Sequence, residues 1–164
     1  MNNIKQRLEK ELPLIIEKSY QQACYYFKII PTKRAVFKGF FSIEIYQAVL
    51  NNREILANLG VDNWQKKAFE KALKELEASK NGISFPADRE SWIILNPFYY
   101  QTKYSLELIL ELMETIAHEI SHAVLFNIDI WRGHNFPHED ITKHIKNHYL
   151  QNYDWEKLLK VIKN

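Results

Sequence analysis

The chain of 164 residues has a single cysteine, Cys24. It cannot form an internal disulfide, and a cysteine-based zinc site is excluded. Cys24 is expected to pack in a helix as an inert thiol, because Gln21, Gln22 and Ala23 bring it no activating base. The same scarcity predicts a reduced, cytoplasmic protein. With only 4 glycines and 5 prolines, tight turns are few and helices many. No apolar run reaches the roughly 18 residues that span a bilayer. The most apolar stretch, 106–126, is interrupted by Glu107, Glu111, Glu114, His118, Glu119 and His122, which a membrane helix would not tolerate. Met1 to Lys10 has neither the cationic start nor the apolar core of a signal peptide. A net charge of +2 makes no demand for nucleic acid.

What remains is ordinary globular material, 46% hydrophobic and 26% charged, enough for a sizeable core. Residues 4–27 read as a helix. Leu8, Leu12, Ile15, Ile16, Ala23 and Phe27 share a face with Ser19, Pro13 starts or kinks it, and Pro31 stops it. Residues 34–46 read as a strand with a turn or bulge at Lys38-Gly39. Two helices follow, 47–59 closed by Gly60 and another capped by Asp62, with its lysines and glutamates in water. The stretch 81–89 reads as loop, punctuated by Asn81-Gly82, Pro86 and Asp88. Ser91 to Leu95 is a short strand ended by Asn96-Pro97, a candidate sheet edge beside which Trp92, Phe98, Tyr99 and Tyr100 could line a cleft. A long helix, 105–127, carries Leu106, Ile109, Leu110, Met113, Ala117, Ile120 and Val124 inward. Pro137 suits the first turn of another helix with Ile141 and Ile145 buried, and Trp155, Leu158, Leu159 and Ile162 form a last stripe. With no repeat or linker, residues 1–164 read as one α+β domain. Its 1–80 part is mostly helical with one strand region, and residues 91–150 hold the chemistry.

That chemistry is His118-Glu119-Ile120-Ser121-His122, an H-E-x-x-H sequence inside the long helix. Residues four apart lie on one helix face, so two imidazoles can share one Zn²⁺. Glu119, rotated about 100° around the helix, can reach a water beside the ion without occupying the ion. Zinc would lower that water's pKa and polarise a carbonyl, and the glutamate would take the proton and return it to the leaving amine. Chance gives this motif in about 2% of shuffled chains of this composition, so its setting in an apolar helix decides for function. Two histidines and a glutamate buried there are costly without a partner, and a cation is one.

A third ligand is required, and all six histidines fall between 118 and 148. His138 follows Pro137 at a helix start, where its direction is well fixed, and is preferred to His134, which follows Gly133 in a loop. Glu139 and Asp140 are further oxygen donors. Leu125 and Ile128 stand where a metzincin has glycine and histidine. His144 and His148 read as solvated surface histidines.

Three pieces in order resemble the SprT-like (Spartan-type) zinc metallopeptidases, over residues 92–149. They are the strand Trp92-Ile93-Ile94-Leu95-Asn96-Pro97, the helix around His118-Glu119-Ile120-Ser121-His122-Ala123, and a histidine before a further helix. The resemblance implies a zincin-like fold, a small antiparallel or mixed sheet packed on the zinc-binding helix, and peptidase activity. It carries over His118 and His122 as ligands and Glu119 as catalytic acid/base. The third ligand departs from the family pattern, since neither His134 nor His138 is followed by glycine. The family's polypeptide substrates and its association with DNA are implied likewise, and in zincin-like folds an edge such as the Trp92–Leu95 strand can pair with an extended peptide by backbone hydrogen bonds, which predicts a preference for unfolded or flexible segments. Here only Lys157, Lys160 and Lys163 resemble a basic tail, and they read as a solvated helix face. A zinc hydrolase of a non-peptide amide or ester, and a non-catalytic zinc-stabilised module binding DNA or protein, are the alternatives. Glu119 speaks against the second, because a structural zinc site has no use for it.

Overall fold

Helix α1, Asn2–Tyr26, forms because apolar side chains recur at helical spacing. Leu8, Leu12, Ile16, Ser19, Tyr20, Ala23 and Cys24 are all buried, while Ile15 and Phe27 pack partly against the same core. Pro13 lies inside the helix, where a proline costs about 3 kcal/mol, and the buried stripe on both sides of it holds the helix together. The helix stops before Pro31. Lys28 takes a left-handed conformation, φ 56°, and the Ile29 N–H donates back to the Cys24 carbonyl at 2.9 Å. That closure satisfies an end carbonyl without the usual glycine. In this computed structural model the described residues are 2–40, 67, 70–71, 74, 81–87, 89–96, 106–128 and 136–151. The helix expected at 47–59, strand residues beyond 40, the stripe at 155–162, His134, and Phe98, Tyr99 and Tyr100 lie outside them. Within the expected second helix, Lys67, Glu70, Lys71 and Lys74 are helical, and the three lysines are exposed.

The sheet has three strands. Strand β1 is Arg34–Phe40, β2 is Gly82–Pro86 and β3 is Glu90–Leu95, in the order β1-β3-β2. β1 runs parallel to β3, from Arg34 opposite Glu90 to Phe40 opposite Leu95, with a bulge between Phe37 and Gly39. Gly39 supplies the positive φ of 104° beside it, as the Lys38-Gly39 pair predicts. β2 runs antiparallel to β3, from Gly82 opposite Leu95 to Pro86 opposite Ser91.

Two expectations are overturned here. Residues 82–86 are a strand, not a loop. Gly82 is no turn residue: a Cβ there would meet Leu95 Cδ2 at 3.0 Å, Thr115 Cγ2 at 3.1 Å and the Ile94 carbonyl at 3.2 Å. Glycine serves close packing at this position. And β3 is not an edge. It lies between β1 and β2, so an extended substrate cannot pair along it. Trp92 is correspondingly core, 2% exposed, with its Nε1–H donating to Glu90 at 2.9 Å.

Helix α2, Leu106–Leu125, packs on the sheet and on α1, then tightens into a 3₁₀ turn, Phe126–Ile128. Ile109, Leu112, Met113, Ile116, Ala117, Ile120, Ala123 and Val124 are buried. Leu110, expected inward, is 45% exposed, because the buried face turns through Leu112 and Ile116 instead. Helix α3, Phe136–Ile145, crosses α2 and buries Ile141 and Ile145 before continuing as a π-helical turn, Lys146–Leu150. Lys146 pairs with Glu114 across these two helices. The fold is thus α+β, helices against a small mixed sheet, and no helix among the described residues is long and apolar enough to cross a membrane.

Candidate metal centre

α2 carries His118 and His122 one turn apart, both half-buried, with their Nε2 atoms 3.2 Å from each other. Nitrogens bound tetrahedrally at about 2.0–2.1 Å from zinc lie about 3.3 Å apart, so the spacing suits a shared ion. α3 brings the third ring. Pro137 occupies its first turn, and the buried Ile141 and Ile145 press the helix onto α2. His138 therefore points inward and is only 2% exposed. Its ring centroid lies 4.5 Å from that of His118 and 4.1 Å from that of His122. One ligand atom from each of the three lies within 4.8 Å of the others, close enough to hold a metal ion.

The backbone of His138 is anchored independently of its ring. Its carbonyl accepts hydrogen bonds from Ser121 Oγ and from Thr142 Oγ1, both at 2.8 Å. Ser121 belongs to the H-E-x-x-H stretch itself and is fully buried, so the sequence that supplies two of the rings also locates the third.

Glu119 is 5% exposed and faces β2. Its Oε1 lies 4.0 Å from His118 Nε2, and its Oε2 accepts from Ser84 Oγ at 2.5 Å. Ser84 Oγ also lies 2.8 Å from the Glu119 main-chain oxygen. The carboxylate is thus beside the histidine cluster and not part of it.

Three imidazoles gathered in this way have few other uses. If all carried protons, three positive charges would crowd together, each pair costing about 4 kcal/mol at an effective dielectric near 20. Kept neutral, each ring offers one lone pair, and a divalent cation is the ligand such a donor set matches.

Of the other residues considered from sequence, Glu139 and Asp140 are exposed on α3 and do not join the cluster. His148 is exposed, as a surface histidine should be. His144 is not. It is half-buried, stacked on Tyr26 at 3.8 Å with an interplanar angle of 21°, and hydrogen-bonded through Nε2 to the Tyr149 hydroxyl at 3.0 Å. The apolar surface of Tyr26 and Phe27 at the end of α1 covers it, which the local sequence does not foretell. Cys24 is buried, and burial pushes its thiol up to about 11, in keeping with an unreactive role. Sequence reasoning missed Ser84 and Ser121. Ser121 had a signal, a small polar residue within an otherwise apolar helical stretch. Ser84 had none, because only the pairing of β2 brings it to α2.

No protein-family model, characterised protein or solved structure matches this chain.

Proposed function

We propose that the protein is a zinc-dependent metallopeptidase of the SprT-like, zincin-like kind, with His118, His122 and His138 as ligands and Glu119 as general base. The observation that carries this reading is the arrival of His138, from a separate helix, at the His118–His122 pair, with Glu119 buried alongside. A structural zinc site has no need of a carboxylate held next to its ligands and outside them. When bound, zinc would polarise a substrate carbonyl and make a water acidic enough to attack it. The chain's own residues supply the rest. Glu119 accepts the proton of the attacking water and delivers it to the departing amine nitrogen as the C–N bond breaks. The three histidines fix the site without taking part in proton transfer. A non-peptide amide or ester would be hydrolysed by the same groups, so the resemblance in sequence is what favours a polypeptide. The preference for unfolded segments was drawn from pairing along a β3 edge and falls with it.

The test is metal content and turnover in matched variants. Wild type should bind about one equivalent of zinc, and His118→Ala and His122→Ala should lose it. Glu119→Gln should keep zinc and lose at least about 100-fold in the rate of cleavage of a denatured protein such as casein. Wild-type turnover by Glu119→Gln would remove the glutamate from the mechanism, and full zinc occupancy in both histidine variants would remove the site.

A further inference from the structure

β2 presents Gly82 and Ser84 on the face that meets α2, where Thr115 and Glu119 stand one helical turn apart. The two pairs match, Gly82 against Thr115 and Ser84 against Glu119. Because Gly82 has no side chain, strand and helix approach closely. A short hydroxyl therefore reaches both the main chain and the carboxylate of Glu119, at 2.8 and 2.5 Å.

We propose that Ser84 is a positioning residue for the hydrolytic step, holding Glu119 Oε2 against β2 so that Oε1 is the oxygen presented to the reacting water. This rests on the reading of Glu119 as general base. A buried carboxylate on a helix has several rotamers, and only some place an oxygen beside the histidines. The Ser84 hydroxyl has one hydrogen, and donating it to Oε2 ties that oxygen down. Oε1 is then on the side of His118, 4.0 Å from its Nε2. The Glu119 main-chain oxygen is the second acceptor within reach of the same hydroxyl, so the serine is anchored to the helix even as the carboxylate changes its charge. The proton taken from water goes to Oε1, and Ser84 neither gains nor loses one. Orientation errors of this kind are costly, since a displacement of about 1 Å in a catalytic group can lower a rate by about 100-fold.

The experiment pairs kinetics with structure, using zinc-loaded wild type, Ser84→Ala and Ser84→Thr. In Ser84→Ala, kcat should fall by about 10-fold or more, with KM and zinc affinity within about two-fold of wild type. Ser84→Thr, which keeps the hydroxyl and suits a strand, should recover most of the loss. Crystal structures of the zinc-loaded forms should show the Glu119 carboxylate turned away from β2 in Ser84→Ala and retained in Ser84→Thr. An unmoved carboxylate in Ser84→Ala, a moved one with unchanged kcat, or a parallel loss of zinc affinity overturns the proposal. So does a threonine that holds the carboxylate and leaves activity low. If wild type itself cleaves nothing, it is the peptidase reading that fails. The crystal structures then decide separately whether Ser84 sets the carboxylate's direction.

Discussion

Helix α2 ends at one polar cluster and carries another in its middle, and the two are built in opposite ways. At the C-terminal end, Asn127 Oδ1 accepts from Thr32 N at 2.9 Å, Thr32 Oγ1 at 3.1 Å and Lys33 N at 3.2 Å. Its Nδ2 donates to the Tyr20 hydroxyl at 2.8 Å and the Val124 carbonyl at 3.0 Å, and Tyr20 in turn donates to the Lys33 carbonyl at 2.7 Å. Donors and acceptors alternate, and the network joins α1, the lead into β1 and α2 with nothing brought from outside. Burial, the largest influence on Tyr20, raises its pKa well above the ordinary range and keeps the phenol neutral within that network. At His118, His122 and His138 the convergent groups are alike. Three rings with the same chemistry meet, and what complements them is positive charge. One cluster is a joint and the other a candidate receptor, and the difference lies in whether the chain supplies both halves of each interaction.

The largest test of that contrast removes a convergent ring. His138→Ala should weaken zinc binding by at least about 100-fold, measured by competition against a chromophoric chelator. Unfolding by urea with a chelator present should change far less. Zinc should raise the unfolding midpoint of wild type and hardly move that of the variant, since an ion that binds only the folded state stabilises it by mass action. Unchanged affinity would mean that another residue completes the site. His134→Ala, at the alternative considered from sequence, would then show the loss instead.

The joint should respond the other way. Asn127→Ala leaves the Thr32 and Lys33 amides and the Tyr20 hydroxyl short of partners, so stability should fall by about 2–4 kcal/mol in urea denaturation. The drop should be the same with zinc or with a chelator, and zinc affinity should stay within about three-fold of wild type. A drop that disappears once zinc is present would show the two clusters to be coupled along α2.

How far these features could be read in advance follows the range of the interactions. α1, α2 and α3 are written in the spacing of residues such as Leu8, Leu12 and Ile16 or Ile141 and Ile145, which a helix places together whatever else the chain does. The bulge at Gly39 and the start of α3 at Pro137 are equally local. The pair His118 and His122 with Glu119 is local too, which is why the motif could be seen. His138 was one of two candidates because choosing it requires knowing how α3 crosses α2. β2 was hidden since Gly82 and Pro86, taken alone, signal a turn. Its strand character comes from pairing with β3, which leaves Ile83 and Phe85 buried on the sheet face opposite α2. The central place of β3, the reach of Ser84 to Glu119 and the gathering of Thr32, Lys33 and Tyr20 around Asn127 all depend on residues far apart in sequence. Periodicity holds no record of them.

The smallest effect concerns a third polar group, His144, which belongs to neither cluster. Burial, first, and the neighbouring His148, second, lower its pKa below the ordinary 6.5, while Asp140 pulls it partly back. Tyr26 stacks on the ring, Phe27 meets its edge and the Tyr149 hydroxyl bonds its Nε2. The sign follows from proton counting. Between the folded pKa and 6.5 the unfolded chain binds more protons than the folded one, so acidification favours unfolding. The contribution of His144 to stability is therefore complete above pH 6.5 and is lost as pH falls through 6.5 toward the folded value. Urea midpoints measured from pH 8 to pH 5.5, with a chelator present in every sample, should fall less steeply for His144→Gln than for wild type. Glutamine can still bond Tyr149 and carries no titrating group. Any loss of stacking shifts its curve by a constant amount, so the slope alone is diagnostic. His148→Gln should flatten the slope only in part, because it removes the second cause and leaves burial in place. Parallel curves for wild type and His144→Gln would assign the acid sensitivity to other groups.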